Sequence, residues 1–195
     1  MKRAELLDIA LFVLLAAAGA GARIYFHEVH FLPNFAPVAG LALFAGYFFR
    51  SWLVAAALPI ITMIASDLVI GGYDWRMMLV VYGALTAPVA LRPLLRKYLS
   101  LEPRQGVGPV TATFGLVGCC LLSSIFFYLL TNFAWWPWSE MYSKDWSGLT
   151  ACYVAGLPFF KYTLAGDLLF GGALFCGYAF AIQFGWAKMP IPAAA

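Results

Sequence analysis

Runs of about twenty apolar residues, separated by brief charged or glycine-rich interruptions, constrain this chain more than anything else in it. Such a run matches the roughly 30 Å thickness of a bilayer's hydrocarbon core when coiled as a helix. The composition agrees: 64% of the residues are hydrophobic and 11% charged, where soluble domains run near half and a quarter. Only helices or closed barrels satisfy the backbone in lipid, and unbroken apolar runs exclude the alternation a barrel strand needs. The expected fold is therefore all-α, a polytopic bundle of about six transmembrane helices. With no hydrophilic stretch long enough for a soluble unit, residues 1–195 form a single transmembrane domain.

The predicted helices cover about Leu6 to Phe26, Ala36 to Phe49, Trp52 to Ile70, Arg76 to Leu91, Pro109 to Phe133 and Lys161 to Trp186. Pro88 is expected to kink the fourth. Between them lie a basic surface loop from Arg92 to Gly108 and a long aromatic loop from Trp135 to Phe160. The N-terminus resembles a secretory signal, but Glu5, Asp8 and an apolar run continuing to Phe26 favour a retained helix. Lys2, Arg3, Arg50, Arg92, Arg96, Lys97, Arg104 and Lys188 fall on one side of a six-crossing arrangement, against Arg23, Arg76, Lys144 and Lys161 on the other. This asymmetry predicts both termini in the cytoplasm. The net charge of +3 follows the same rule and gives no reason to invoke nucleic acid.

The stretch NFAPVAGLALFAGYFF (34–49) joins a polar, proline-containing lead-in to a helix whose Ala36, Gly40 and Ala45 admit another backbone closely. The first helix carries Ala16/Ala20 and Ala18/Ala22, a small-xxx-small pattern that suits helix docking, either to a partner subunit or within the chain.

Polar groups at membrane depth are costly and mark function or pairing. Asn34, Ser66 with Asp67, Thr131 with Asn132, and Asp167 all fall in the outer half of the predicted bundle. Convergence at one depth is what a pocket open to the outside requires. The plainer alternatives are helix capping by Asn34 and Ser66, and pairing of Asp67 and Asp167 with Arg76 or Lys161. Trp135, Trp136 and Tyr153 read either as an interfacial belt or as a lid whose rings stack on a ligand.

The His27-Glu28-Val29-His30 spacing differs from that of a zinc protease helix, so no metal is assigned. The four cysteines lack metal or redox spacing. No phosphate-binding glycine loop occurs, so this chain cannot itself hydrolyse ATP, and no cofactor is called for. An intramembrane enzyme would need Asp67 and Asp167, or the two histidines, in one cavity; no nucleophile with a base partner is visible.

The segments at 34–49, ASDLVIGG (65–72), SSIFFYLLTNFAWW (123–136) and GLTACYVAGLPFFKYTLAGDLLFGGALF (148–175) resemble an uncharacterised bacterial family of six-helix membrane proteins described as transport proteins. That family is similar in architecture to the substrate-binding S components of energy-coupling factor transporters, which take up vitamins and metal ions. The resemblance implies a bacterial inner-membrane protein that binds a small nutrient near its outer face. It also implies docking, through small residues of the first helix, to a transmembrane coupling subunit with ATPases. Asn34, Asp67, Asn132 and Asp167 match the motifs of the uncharacterised family. The competing expectation is a structural or assembly subunit of a larger membrane complex.

Overall fold

A computed structural model of the chain describes residues 3–29, 34–99 and 108–186. Seven α-helices and one 3-10 helix account for most of them: α1 (Arg3–Glu28), α2 (Val38–Phe48), α3 (Trp52–Ile70), α4 (Trp75–Thr86), a 3-10 turn (Ala87–Leu91), α5 (Arg92–Tyr98), α6 (Pro109–Trp138) and α7 (Trp146–Gln183). No strand occurs among the described residues. Five segments are long and apolar enough to cross a membrane: α1, α3, the continuous run Trp75–Tyr98, α6 and α7. The chain is a multi-pass membrane protein.

The short helix α2 is the axis of the bundle. Its 11 residues span only about 16 Å, too little for a bilayer. Every residue from Val38 to Tyr47 is nevertheless buried, and α2 touches each of the other helices. Small residues make this approach close. A methyl group on Gly40 would lie 2.8 Å from the backbone nitrogen of Gly171, and one on Gly46 would lie 3.0 Å from the carbonyl oxygen of Val89. Farther along, Phe44 meets Phe175, and Tyr47 meets Phe175 and Tyr178, edge to face. The constant register of these pairs sets α2 parallel to α7. Helices α1 and α3 are likewise parallel, with Gly19 against Thr62 and Arg23 against Ser66 and Asp67.

The predicted boundaries of the third helix agree with α3, and the expected break at Pro88 appears as the 3-10 turn. Two loop assignments are corrected. The segment from Trp135 to Phe160 is mostly helical: α6 runs to Trp138, α7 starts at Trp146, and only residues 139–145 link them. That turn is tight because Asp145 caps α7, accepting from the Gly148 amide at 2.8 Å. Gly148 itself packs where a methyl would sit 1.9 Å from the Ser143 carbonyl oxygen. Lys144 donates to the carbonyls of Trp136 and Ser139. Pro158 lies inside α7, as membrane helices allow when neighbours satisfy the freed backbone.

The second correction concerns the basic segment. Arg92 to Tyr98 is helix α5, and Arg92 is buried at 3% exposure. Its Nη2 donates to the carbonyls of Phe49 and Arg50, while Arg96 donates to Tyr47. The last carbonyls of α2 have no partner within their own helix, and in lipid water cannot supply one. The two arginines do. Arg104, His30, Lys2 and Lys188 lie outside the described residues.

Candidate functional site

Helices α6 and α7 form an antiparallel pair, and one face of each turns toward α4 and the lead-in to α2. On α6 that face carries Tyr128, Thr131, Asn132 and Trp135; on α7 it carries Gly156, Phe159, Phe160 and Thr163. Both sets follow the i, i+3, i+4, i+7 spacing of one helix surface. Together with Phe127, Met77 and Asn34 they line a partly open cavity of about 180 Å³. Asn34 reaches it from a left-handed backbone conformation, φ 63°, which asparagine tolerates better than most residues.

The polar groups on the wall are partly spent on their own helix. Asn132 donates through Nδ2 to the Tyr128 carbonyl at 2.8 Å, and Thr131 donates to the Phe127 carbonyl at 2.8 Å. What remains is mixed: the Thr131 hydroxyl oxygen and the Asn132 amide oxygen can accept, the latter approached by the Cys152 thiol at 3.9 Å, and the second N–H of Asn132 can donate. The bare Cα of Gly156 makes room for this amide, since a methyl there would lie 2.5 Å from Asn132 Oδ1. An occupant offering N–H or O–H groups to one side and a flat apolar face to the other would be matched.

Of the residues singled out from sequence, Asn34, Asn132 and Trp135 line this cavity, and Thr131 joins them. Asp67, Asp167, Trp136 and Tyr153 are not on its wall. Asp67 belongs to a separate polar cluster, ion-paired with Arg23 of α1 and accepting from the Tyr82 hydroxyl at 2.7 Å. Arg23 also donates to Ser66, whose hydroxyl donates back to the carbonyls of Thr62 and Met63. The cation expected to neutralise Asp67 was Arg76 or Lys161; the structure supplies Arg23. Above this cluster, burial and, secondarily, the Asp67 charge push the phenol of Tyr73 up to about 12.

Asp167 lies one helical turn beyond Thr163, beneath the cavity, and is 2% exposed. Its carboxylate accepts from the Ser124 hydroxyl at 2.6 Å, and the Cys120 thiol reaches its backbone carbonyl at 3.4 Å. Neither Arg76 nor Lys161 pairs with it among the described residues. Trp136 donates to the Ser143 carbonyl at 2.8 Å, bracing the turn. Tyr128 and Tyr153 form rungs between α6 and α7, donating to the carbonyls of Tyr153 and Leu129 at 2.6 and 3.1 Å. Of these rings Tyr128 also lines the cavity, whereas Trp136 and Tyr153 brace the turn and the helix pair and are not on its wall.

On α1, Ala16 and Ala20 are buried with Leu15 against the chain's own core, while Ala18 is exposed and Ala22 half-buried. His27 and Glu28 are exposed at the end of α1, and no group of three metal-ligating side chains comes together among the described residues.

Sequence reading missed Phe127, Tyr128, Gly156, Phe159, Phe160, Thr163, Met77 and Arg23. The helical period on α7 was the available signal for four of them, and treating Trp135 to Phe160 as a loop concealed it.

No curated protein and no solved structure matches the chain. The model of a family of unknown function, DUF6580, matches residues 2–190, and the chain belongs to that family.

Proposed function

We propose that this DUF6580 member is the substrate-binding subunit of an uptake system for a small nutrient. The cavity between α4, α6, α7 and Asn34 would be its binding site. The observation that carries this reading is the pairing of amide and hydroxyl groups with aromatic walls in one partly open recess between the helices. Its volume of about 180 Å³ is close to the roughly 150 Å³ that accommodates a single benzene ring, and below the 300 Å³ or more of drug-sized sites. The favoured occupant is therefore a single-ring molecule with N–H or O–H donors, such as a simple heterocyclic vitamin precursor. A bare metal ion is disfavoured by neutral amide and hydroxyl walls.

The setting we propose is a bacterial inner membrane with both termini cytoplasmic. Arg50, Arg92, Arg96 and Lys97 gather at the end of the bundle opposite the cavity, as the positive-inside rule requires of the cytoplasmic side. An architecture like that of S components supplies the transport step, through a coupling subunit with ATPases docked on α1. With Ala16 and Ala20 turned inward, the surface left for it is Leu14, Ala18, Gly21 and Tyr25, which recur on one face of α1.

The test is purification in mild detergent, mass spectrometry of co-purifying small molecules, and thermal-shift screening of single-ring compounds on wild type, Asn132→Leu and Gly156→Ala. A compound that stabilises wild type and loses its effect in both variants supports the site. A screen in which no compound distinguishes wild type from the variants overturns it. Co-purification in a stoichiometric complex without ATPases would instead favour an assembly subunit.

A further inference from the structure

A second recessed surface lies on the flank of the bundle, independent of the uptake reading. Between α3 and α4 runs an apolar groove of about 680 Å³, lined by Trp52, Leu53 and Ile60 on one side and Leu79 and Gly83 on the other, with Ala90 at its foot. Leu53 is 84% exposed and Leu79 65%, so the groove faces the hydrocarbon. A methyl on Gly83 would meet nothing within 4 Å, which leaves the groove wide at its middle.

The foot of the groove is basic. The Arg92 guanidinium stacks on the Trp52 ring, 4.7 Å from its centroid. Arg92 is 3% exposed, and its Nε and Nη1 are buried with no hydrogen-bond partner. Orphaned donors on a buried charge are rare and demand an explanation. Arg96 and Arg92 converge on the Phe49 carbonyl, Arg50 contributes the second carbonyl that Arg92 meets, and Lys97 follows on α5. Carbonyl acceptors do not neutralise a guanidinium. Among the described residues the ion pairs are Arg23–Asp67 and His27–Glu28, and none of these residues gives Arg50, Arg92, Arg96 or Lys97 an acidic counter-charge.

We propose that this groove is a binding site for an anionic phospholipid, with an acyl chain along the α3–α4 groove and the headgroup phosphate held by Arg50, Arg92 and Arg96. A phosphate supplies the acceptor oxygens that a guanidinium fork engages two at a time. Trp52, half exposed, is the side chain that swings to admit it. Charge and shape select this ligand jointly: the cations require an anion, and the adjoining groove requires that the anion carry a chain.

Thermal shift and native mass spectrometry of the full chain test it, using phosphatidylglycerol, phosphatidylcholine of the same acyl chains, and soluble glycerol phosphate. Phosphatidylglycerol should stabilise the protein and remain bound where phosphatidylcholine does not, and glycerol phosphate should have no comparable effect. Arg50→Gln and Arg96→Gln should each lower the anionic preference about fivefold. Leu53→Trp, which fills the groove without changing charge, should lower occupancy by both lipids. Arg3→Gln, which removes one positive charge at the start of α1, should leave the preference intact. Equal stabilisation by the two lipids overturns the site, as does a full effect from glycerol phosphate or an equal loss in Arg3→Gln. Should Glu102→Gln raise the anionic preference as much as the arginine variants lower it, the chain provides its own counter-charge and the proposal fails.

Discussion

Among the described residues two carboxyl groups are buried inside this bundle, and they are held in opposite ways. Asp67 faces a cation and a phenol: Arg23 from α1 and Tyr82 from α4 both donate to it. Among the described residues Asp167 receives a single hydroxyl, that of Ser124. A carboxylate offers about four acceptor positions, so Asp67 is well matched and Asp167 is not. An ionised group in hydrocarbon is expensive unless paired. The first cluster therefore works as a clamp joining α1, α3 and α4. The second is a polar group that packing alone does not require, set one turn below the cavity.

Breaking the clamp should have the largest effect. Arg23→Met leaves Asp67 buried without its cation, and removal of one partner from such a pair costs about 3–5 kcal/mol. Reversible unfolding in mixed micelles measures it. The double variant Arg23→Met/Asp67→Leu should recover much of the loss, because no charge is left stranded. If the double variant is as unstable as the single one, the ion pair is not the unit that joins these helices.

At Asp167 the losses should be smaller. Ser124→Ala removes its hydroxyl donor, at a cost of about 1–3 kcal/mol for a buried acceptor left unmatched. Asp167→Asn keeps an acceptor for Ser124 at nearly the same volume, and should cost about 1 kcal/mol or less. The comparison is sharp when both carboxyls are converted to amides. Asp67→Asn should be severely destabilising, while Asp167→Asn should leave the unfolding transition nearly unchanged. Equal costs would mean that Asp167 is held by more than Ser124.

The two carboxyls also show what a sequence discloses. Both were visible as polar groups in apolar helices. Their partners were not. Arg23 lies far from Asp67 in sequence, and only the parallel packing of α1 on α3 brings them together; no spacing rule covers that distance. The central place of α2 was better disclosed, because Gly40 and its small neighbours predict close approach, and the structure puts Gly40 against Gly171. Half of the cavity was hidden for a different reason. Pro137, Gly148, Gly156 and Pro158 look like helix breakers by soluble standards, yet α6 and α7 contain all four. Within lipid, the cost of an unpaired backbone outweighs the poor propensity of these residues. Arg92 misled in the opposite direction: a charge reads as surface, but here it serves the carbonyls at the end of α2.

A third carboxylate, outside the membrane, gives the comparison its lower bound. Asp145 caps α7 from the exposed turn, and the Gly148 amide first, then the Ser143 hydroxyl, hold its carboxyl below the ordinary value of 3.8. Here water competes for every contact, so the group's effect should be confined to a narrow acid range. Because the folded value is depressed, the stabilisation is complete above the unfolded value and lost as pH falls through the lower folded one. Neutral and mildly acidic conditions should leave the cap intact. Hydrogen exchange at the Gly148 amide follows it directly: protection should hold down to the ordinary aspartate range and fall only below it, and Asp145→Asn should remove the pH dependence while retaining part of the protection. If protection were lost well above that range, the turn would depend on some other titrating group, and the contrast between carboxyls held by their own backbone and those held by distant helices would not extend to the aqueous side.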